Sequence, residues 1–246
     1  MTRLTSCLDA ESVAQRAAAD VVRQLARARR ERGVAHLALS GGTTPGRTYE
    51  LLAQERQELA DVEVWFADER CVAPEDEQSN YRLAAETLLE PAAIPPERVH
   101  RMEGELGPDE GAQRYGRLLA ERLPGEDPSA PTAPGIPVFD LIVLGIGPDG
   151  HVASLFPGAG TLDAGPPAIC LGVYDSPKPP PERITLSLPV LRAARGCLLV
   201  ATGASKADAV AAMLTQQSRH VPASLLRRER LTVIVDDAAA PKGQPG

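Results

Sequence analysis

The stretch "FDLIVLGIGPDGHVASLFPG" (residues 139–158) runs from an unbroken apolar segment straight into a glycine-rich turn that carries a lone histidine, His151. An apolar run without polar alternation is what a strand buried on both faces requires, and such strands belong to parallel sheets covered by helices. Comparable runs recur at "HLALS" (36–40), "VEVWFA" (62–67), "AICLGV" (168–173), "RITLSL" (183–188), "CLLVAT" (197–202) and "LTVIVD" (231–236). Helical spacing lies between them. From Asp9 to Arg32 the residues Val13, Ala17, Val21, Leu25 and Ala28 share one face, with Asp9 as N-cap and Gly33 as stop. Ser79–Glu90 reads as a second helix ending at Pro91, with Ser79 as its cap, and Ser205–Leu214 as a third, capped by Ser205. Alternating strands and helices predict an α/β fold: a doubly wound, mainly parallel, Rossmann-like sheet with helices on both faces.

The 246 residues, 43% of them hydrophobic, suffice for one large core, and residues 1–246 are expected to form a single α/β domain. The proline-rich segment at 124–137 then reads as a long surface loop rather than a linker. A net charge of −7 gives no general attraction to nucleic acid or anionic lipid, so an anionic ligand must be met by a local cluster. Aromatic residues make up only 3%, too few for a base-stacking platform. The N-terminal "MTRLTSCLDAESVAQ" has no signal-peptide core, and no run approaches ~18 apolar residues, so a soluble cytoplasmic protein is expected. Cys7, Cys71, Cys170 and Cys197 are scattered without CxxC or histidine spacing, which suggests neither a zinc site nor a disulfide framework.

In a doubly wound sheet, ligands bind beyond the carboxyl ends of the strands. Four such ends are unusual here. After "LAL" come Ser40, Gly41, Gly42, Thr43 and Thr44 at the start of a helix: glycines for close backbone approach, hydroxyl donors and a positive helix end suit a phosphate. After "VWFA" come Asp68, Glu69 and Arg70, charged groups that a buried strand end tolerates only if solvated, paired or used on a ligand. After "LLVATGAS" comes Lys206, misplaced for stability in the first turn of a helix unless an anion sits there. The fourth end is the opening motif, where a helix is expected to begin near His151. An imidazole, with its ordinary pKa of about 6.5, serves as a general base at neutral pH, and Asp149 two residues away can fix its tautomer. Each end alone also fits a bland reading: a Thr-capped turn, an Asp68–Arg70 surface pair, a solvent-facing lysine. His36, His100 and His220 sit in structural contexts. No GxSxG elbow is present, so water is the expected nucleophile.

"LSGGTTPGRTYELL", "FADERCVAPEDEQSNYRLAAETLL", "FDLIVLGIGPDGHVASLFPG" and "TGASKADAV" resemble, in order and spacing, motifs of the glucosamine-6-phosphate isomerase/6-phosphogluconolactonase family. The resemblance covers almost the whole chain and favours its lactonase branch. The deaminase branch typically continues after DGH with a sequence like AFNEP, whose glutamate serves its chemistry, and has DEY where this chain has DER. Here "VASLFPG" carries no acid.

The resemblance implies hydrolysis of 6-phospho-D-glucono-1,5-lactone in the oxidative pentose phosphate pathway, with deamination of glucosamine 6-phosphate as the alternative. His151 would activate or orient water. Asp68 and Asp149 would orient sugar hydroxyls or His151. Arg70 and Lys206 would hold the phosphate and nearby oxygens, and Gly41, Gly42, Thr43, Thr44, Asn80 and Gly147 would line the same pocket. No metal or redox cofactor is implied. The expected partners are the sugar-phosphate lactone and, at most, a weak association with glucose-6-phosphate dehydrogenase; no nucleic acid or membrane partner is expected.

Overall fold

The computed structural model describes residues 2–123, 125 and 134–241. Among the described residues there are nine strands: β1 (Arg3–Cys7), β2 (Ala35–Leu39), β3 (Val62–Phe66), β4 (Asp68–Arg70), β5 (Leu141–Gly145), β6 (Cys170–Val173), β7 (Arg183–Leu186), β8 (Cys197–Ala201) and β9 (Leu231–Asp236). The α-helices among the described residues are α1 (Ala10–Arg32), α2 (Thr43–Leu52), α3 (Asn80–Ala84), α4 (Pro108–Arg122), α5 (Leu188–Ala193) and α6 (Ala207–Thr215).

Six strands form one parallel sheet in the order β1-β9-β8-β5-β2-β3. From β2 the chain moves outward to β3, and from β5 it moves the other way to β8 and β9. The strand order therefore reverses between β2 and β5, which is where a doubly wound sheet opens a crevice for a ligand. The middle strands are buried on both faces, as their unbroken apolar sequences require. Helix α1 lays Val13, Ala17, Val21, Leu25 and Ala28 into the core, all but fully buried. Asp9 caps it by accepting from the Ser12 amide (2.8 Å), and Gly33, at φ +82°, ends it. Each buried Val or Leu of that stripe contributes about 1.5–3 kcal/mol.

Several expectations are corrected. The runs at 168–173 and 183–188 do not join the main sheet; they pair antiparallel with Asp68–Arg70 in a second, three-stranded sheet, β4-β7-β6. The apolar content of a short strand shows that it is buried but not what it pairs with. Edge strand β1 is half-exposed and mixed in polarity, so its sequence carries no strand signal. Ser79 does cap α3, accepting from the Arg82 amide (3.1 Å), but the helix widens to a π turn over Ala85–Leu89. Ser205 is exposed and caps nothing: a 3-10 turn, Ala204–Lys206, precedes α6. No helix begins at His151, because the chain closes there into a tight turn. Most of segment 124–137, read as a loop, lies outside the described residues.

Candidate active site

The end of β2 is fixed from beneath. The buried Tyr49 hydroxyl donates to the Ser40 carbonyl (2.8 Å) and accepts from the Ser40 amide (3.1 Å), while the Ser40 hydroxyl accepts from the Gly145 amide (3.2 Å) and ties β2 to β5. Gly42, at φ +116°, turns the chain into α2, whose first residues are Thr43 and Thr44. A β-carbon at Gly41 would run into the Asn80 side-chain amide. The Thr44 hydroxyl meets that of Thr202, beyond β8, at 2.7 Å. Three strand ends thus supply one rim, and the unpaired amides at the start of α2 give it a positive potential.

Lys206 joins this rim through the turn at Gly203, which has φ +88° and whose amide is held by the Asp236 carboxylate (3.0 Å). Burial, followed by the positive charge of Lys178, pushes the Lys206 ammonium below its ordinary value, with Asp149 pulling the other way.

Past β5, the turn at 147–151 presents the histidine. The Gly147 amide donates to the His151 carbonyl (2.9 Å) and the Gly150 amide to the Gly147 carbonyl (2.9 Å). The His151 ring lies so close over Gly147 that a β-carbon there would overlap the imidazole and the Asp149 carboxylate. His151 Nδ1 and Asp149 Oδ1 are 2.5 Å apart. Burial raises the Asp149 carboxyl, but the hydrogen bond and charge of His151 outweigh it and hold the group at about 2. A carboxylate so ionised only accepts, so Nδ1 carries the donated proton and Nε2 is left as the lone-pair nitrogen of the neutral ring. Phe156 packs on the imidazole with ring centroids 4.7 Å apart.

The small sheet supplies the remaining wall. Asp68, 4% exposed, accepts from the Ser154 hydroxyl (2.8 Å) and from the Asn80 amide (3.3 Å). Asn80 also donates to the Asp68 carbonyl (2.8 Å), and its Oδ1 is buried without a partner among the described residues. Ala153, between His151 and Ser154, takes the left-handed conformation (φ +49°). Glu69 points away from this chemistry: it accepts from the amides of Arg70, Asn80 and Tyr81 and from the Ser79 hydroxyl, and so holds the start of α3. Its carboxyl is raised by burial, in part offset by those donors. Arg70 donates to the Gln78 carbonyl, and its buried Nε has no partner among the described residues.

Together these groups line an open pocket of about 430 Å³. Gly41, Gly42, Thr43, Thr44, Asp68, Arg70, Asn80, Gly147, His151 and Lys206 all reach it. Asp149 does not; it is paired with His151 Nδ1 instead. No Asp68–Arg70 pair forms among the described residues, since Asp68 is held by Ser154 and Asn80 instead.

Sequence reasoning missed Lys178, Arg183 and Thr202, which also line the pocket. Arg183, 4% exposed at the head of the buried strand β7, is the same kind of signal as Asp68 to Arg70: a charge where burial is costly. Four cations (Arg70, Lys178, Arg183 and Lys206) therefore line the same pocket as Asp68 and His151. Among the described residues no cluster of three or more His, Cys, Asp or Glu is placed to hold a metal ion, and no helix is long and apolar enough to cross a membrane.

A twisted parallel sheet with a switch-point pocket, a glycine-threonine rim and an Asp-Gly-His turn define a class. The chain belongs to the glucosamine-6-phosphate isomerases/6-phosphogluconolactonase family, whose model matches residues 8–235. Within that family it is 39% identical, over 219 residues, to the probable 6-phosphogluconolactonase of Schizosaccharomyces pombe, spanning 85% of this chain and 83% of that one. It is 36% identical over 243 residues to the 6-phosphogluconolactonase of Streptomyces coelicolor, spanning 94% and 91%. The solved 6-phosphogluconolactonase from Trypanosoma cruzi superposes with a TM-score of 0.85 at 26% identity, covering 97% of this chain and 96% of that one.

Proposed function

We propose that the chain hydrolyses 6-phospho-D-glucono-1,5-lactone to 6-phosphogluconate in the cytoplasm, as the lactone-opening step of the oxidative pentose phosphate pathway. The observation that carries this reading is the His151–Asp149 pair at the wall of a cation-rich pocket. Among the described residues no serine, threonine or cysteine is hydrogen-bonded to His151, which supports water as the nucleophile. Strand β1 pairing with β9 supports residues 1–246 as one catalytic domain.

In this reading the phosphate sits on the α2 N-terminus with Thr43, Thr44, Arg70 and Lys206, and Asp68, aligned by Ser154 and Asn80, accepts from a sugar hydroxyl. His151 Nε2 takes a proton as water oxygen bonds to C1, and the carbonyl oxygen becomes an oxyanion. When the carbonyl reforms, the bond from C1 to the ring oxygen breaks and that oxygen takes the proton back from the imidazolium. The new carboxylic acid then ionises and releases one proton to solvent. The deaminase alternative needs an acid after the histidine; the residues there are Ser154, turned to Asp68, and the buried Leu155 and Phe156.

The test is a time course of proton release from freshly made lactone with and without the protein. Release well above the spontaneous rate, lowered about 100-fold or more in His151→Ala, is expected. A rate equal to the spontaneous one, with ammonia release from glucosamine 6-phosphate, would overturn the reading.

A further inference from the structure

The connection between β6 and β7 carries "SPKPPPE" (176–182), a segment the mechanism above does not use. Lys178 is the one residue of this segment that lines the pocket besides Pro179, and it is half-buried while Pro177 and Pro179 on either side are exposed. Its backbone is tied down. The Lys178 carbonyl accepts from the Ser176 hydroxyl (2.8 Å) and from Arg183 Nη2 (3.0 Å), and the Lys178 amide donates back to the Ser176 hydroxyl (3.2 Å).

Arg183 spends its donors on this loop rather than on a carboxylate. Nε donates to the Pro180 carbonyl (3.2 Å), and Nη2 reaches the Pro179 carbonyl as well (3.3 Å). Its guanidinium lies over the Phe156 ring, 5.6 Å from the centroid, and Phe156 in turn packs against His151. Loop, arginine, phenylalanine and histidine therefore form one continuous contact. Lys206, by contrast, enters from the Gly203 turn beside Thr202 and Thr44, at the rim built by the α2 N-terminus.

Resting on the lactonase reading, we propose that Lys178 is the catalytic cation at the acyl end of the substrate, facing the C1 oxygen, and that Arg183 is the positioning residue that holds it there. The C1 oxygen is neutral in the lactone, becomes an oxyanion when the water oxygen bonds to C1, and ends in the product carboxylate. A cation fixed beside it stabilises charge that exists only after attack has begun, so it acts on kcat more than on KM. The charge of Lys178 acts on both ends of the pocket, lowering the Lys206 ammonium and, to a smaller degree, the Asp149 carboxyl; its place at the acyl end rests on the Arg183–Phe156–His151 contact.

The test compares two ligands that differ only at C1: 6-phosphogluconate, which has a carboxylate there, and glucitol 6-phosphate, which has a neutral hydroxymethyl. Inhibition constants for both are measured in the wild type, Lys178→Gln and Arg183→Gln, together with kcat and KM for the lactone. Lys178→Gln is expected to lower kcat about 100-fold with little change in KM. It should weaken 6-phosphogluconate about tenfold and leave glucitol 6-phosphate unchanged. Arg183→Gln should reproduce that loss of discrimination, and the double variant should be no worse than Lys178→Gln alone; Arg183→Lys serves the same cycle if the glutamine variant does not fold. Equal weakening of both ligands in Lys178→Gln puts the lysine at the phosphate and overturns the proposal. Additive losses in the double variant overturn the role of Arg183. A wild type with no lactonase activity overturns the functional reading itself, a separate outcome.

Discussion

The six-stranded sheet and the three-stranded one meet the pocket in different ways. The parallel sheet offers backbone: the Gly41–Gly42 turn, the first amides of α2, the Gly203 turn, and a histidine folded over Gly147. The small antiparallel sheet offers side chains: Asp68, Arg70 and Arg183 on its strands, Lys178 on the loop joining two of them. A site made from strand-end turns is rigid because each turn closes on its own neighbours. A wall made from charged side chains is rigid only through the partners that neutralise or hydrogen-bond them, which is why Asp68, Glu69 and Arg183 are so heavily bonded.

The contrast can be broken from either side. On the parallel side, Gly147→Ala places a methyl where the His151 ring and the Asp149 carboxylate lie. We expect turnover to fall about 100-fold through misplacement of the base, with the fold retained. Steady-state kinetics beside a thermal melt check this, and an active variant would show that the ring has room to move.

On the other side, Glu69→Ala strands three donors at the start of α3 and the Arg70 amide on β4. A loss of about 2 kcal/mol in unfolding free energy is expected by denaturant titration. Little change would mean that water replaces the carboxylate and that this wall is less closed than its contacts suggest.

Ser154→Ala removes one of two side-chain donors to Asp68, and kcat/KM is expected to drop about fivefold, the worth of roughly 1 kcal/mol. Unchanged kinetics would place Asp68 outside the reacting complex.

A subtler difference shows in acid. Asp149 is held at about 2, against an ordinary 3.8, so the unfolded chain binds its proton more readily. The stability it contributes is complete above about pH 4 and fades as the pH falls toward 2. The Asp149→Asn variant should therefore show a flatter dependence of unfolding free energy over that window. An identical slope in both proteins would show that the His151 contact does not stabilise the fold.

The smallest effect belongs to Ala153, at φ +49°. Ala153→Gly exchanges about 1 kcal/mol of left-handed strain for added freedom in the unfolded chain, and the melting temperature should move by only a few degrees.

Much of this was legible in the residues. The apolar runs, the glycines after them and the misplaced charges at strand ends pointed to the parallel sheet and to Gly41, Gly42, Thr43, Thr44, Asp68, Arg70, His151 and Lys206, because each signal is local: a few neighbouring residues decide whether a strand stops, a turn closes or a helix begins; Asn80 and Gly147 came only with the family resemblance. Gly42 must turn with positive φ wherever the strand before it lies, and Asp149 is only two residues from the ring it steadies. The second sheet was not legible. Its defining pairs, Asp68 with Thr185 and Arg70 with Arg183, join segments more than a hundred residues apart, and nothing within a short apolar strand states its partner. Likewise Ser154 reads as an ordinary serine until the fold sets it against Asp68, and Lys178 as a surface lysine until Arg183 draws its loop over the pocket. Local backbone preference determined the turns, and long-range packing alone decided which charges face one another across them.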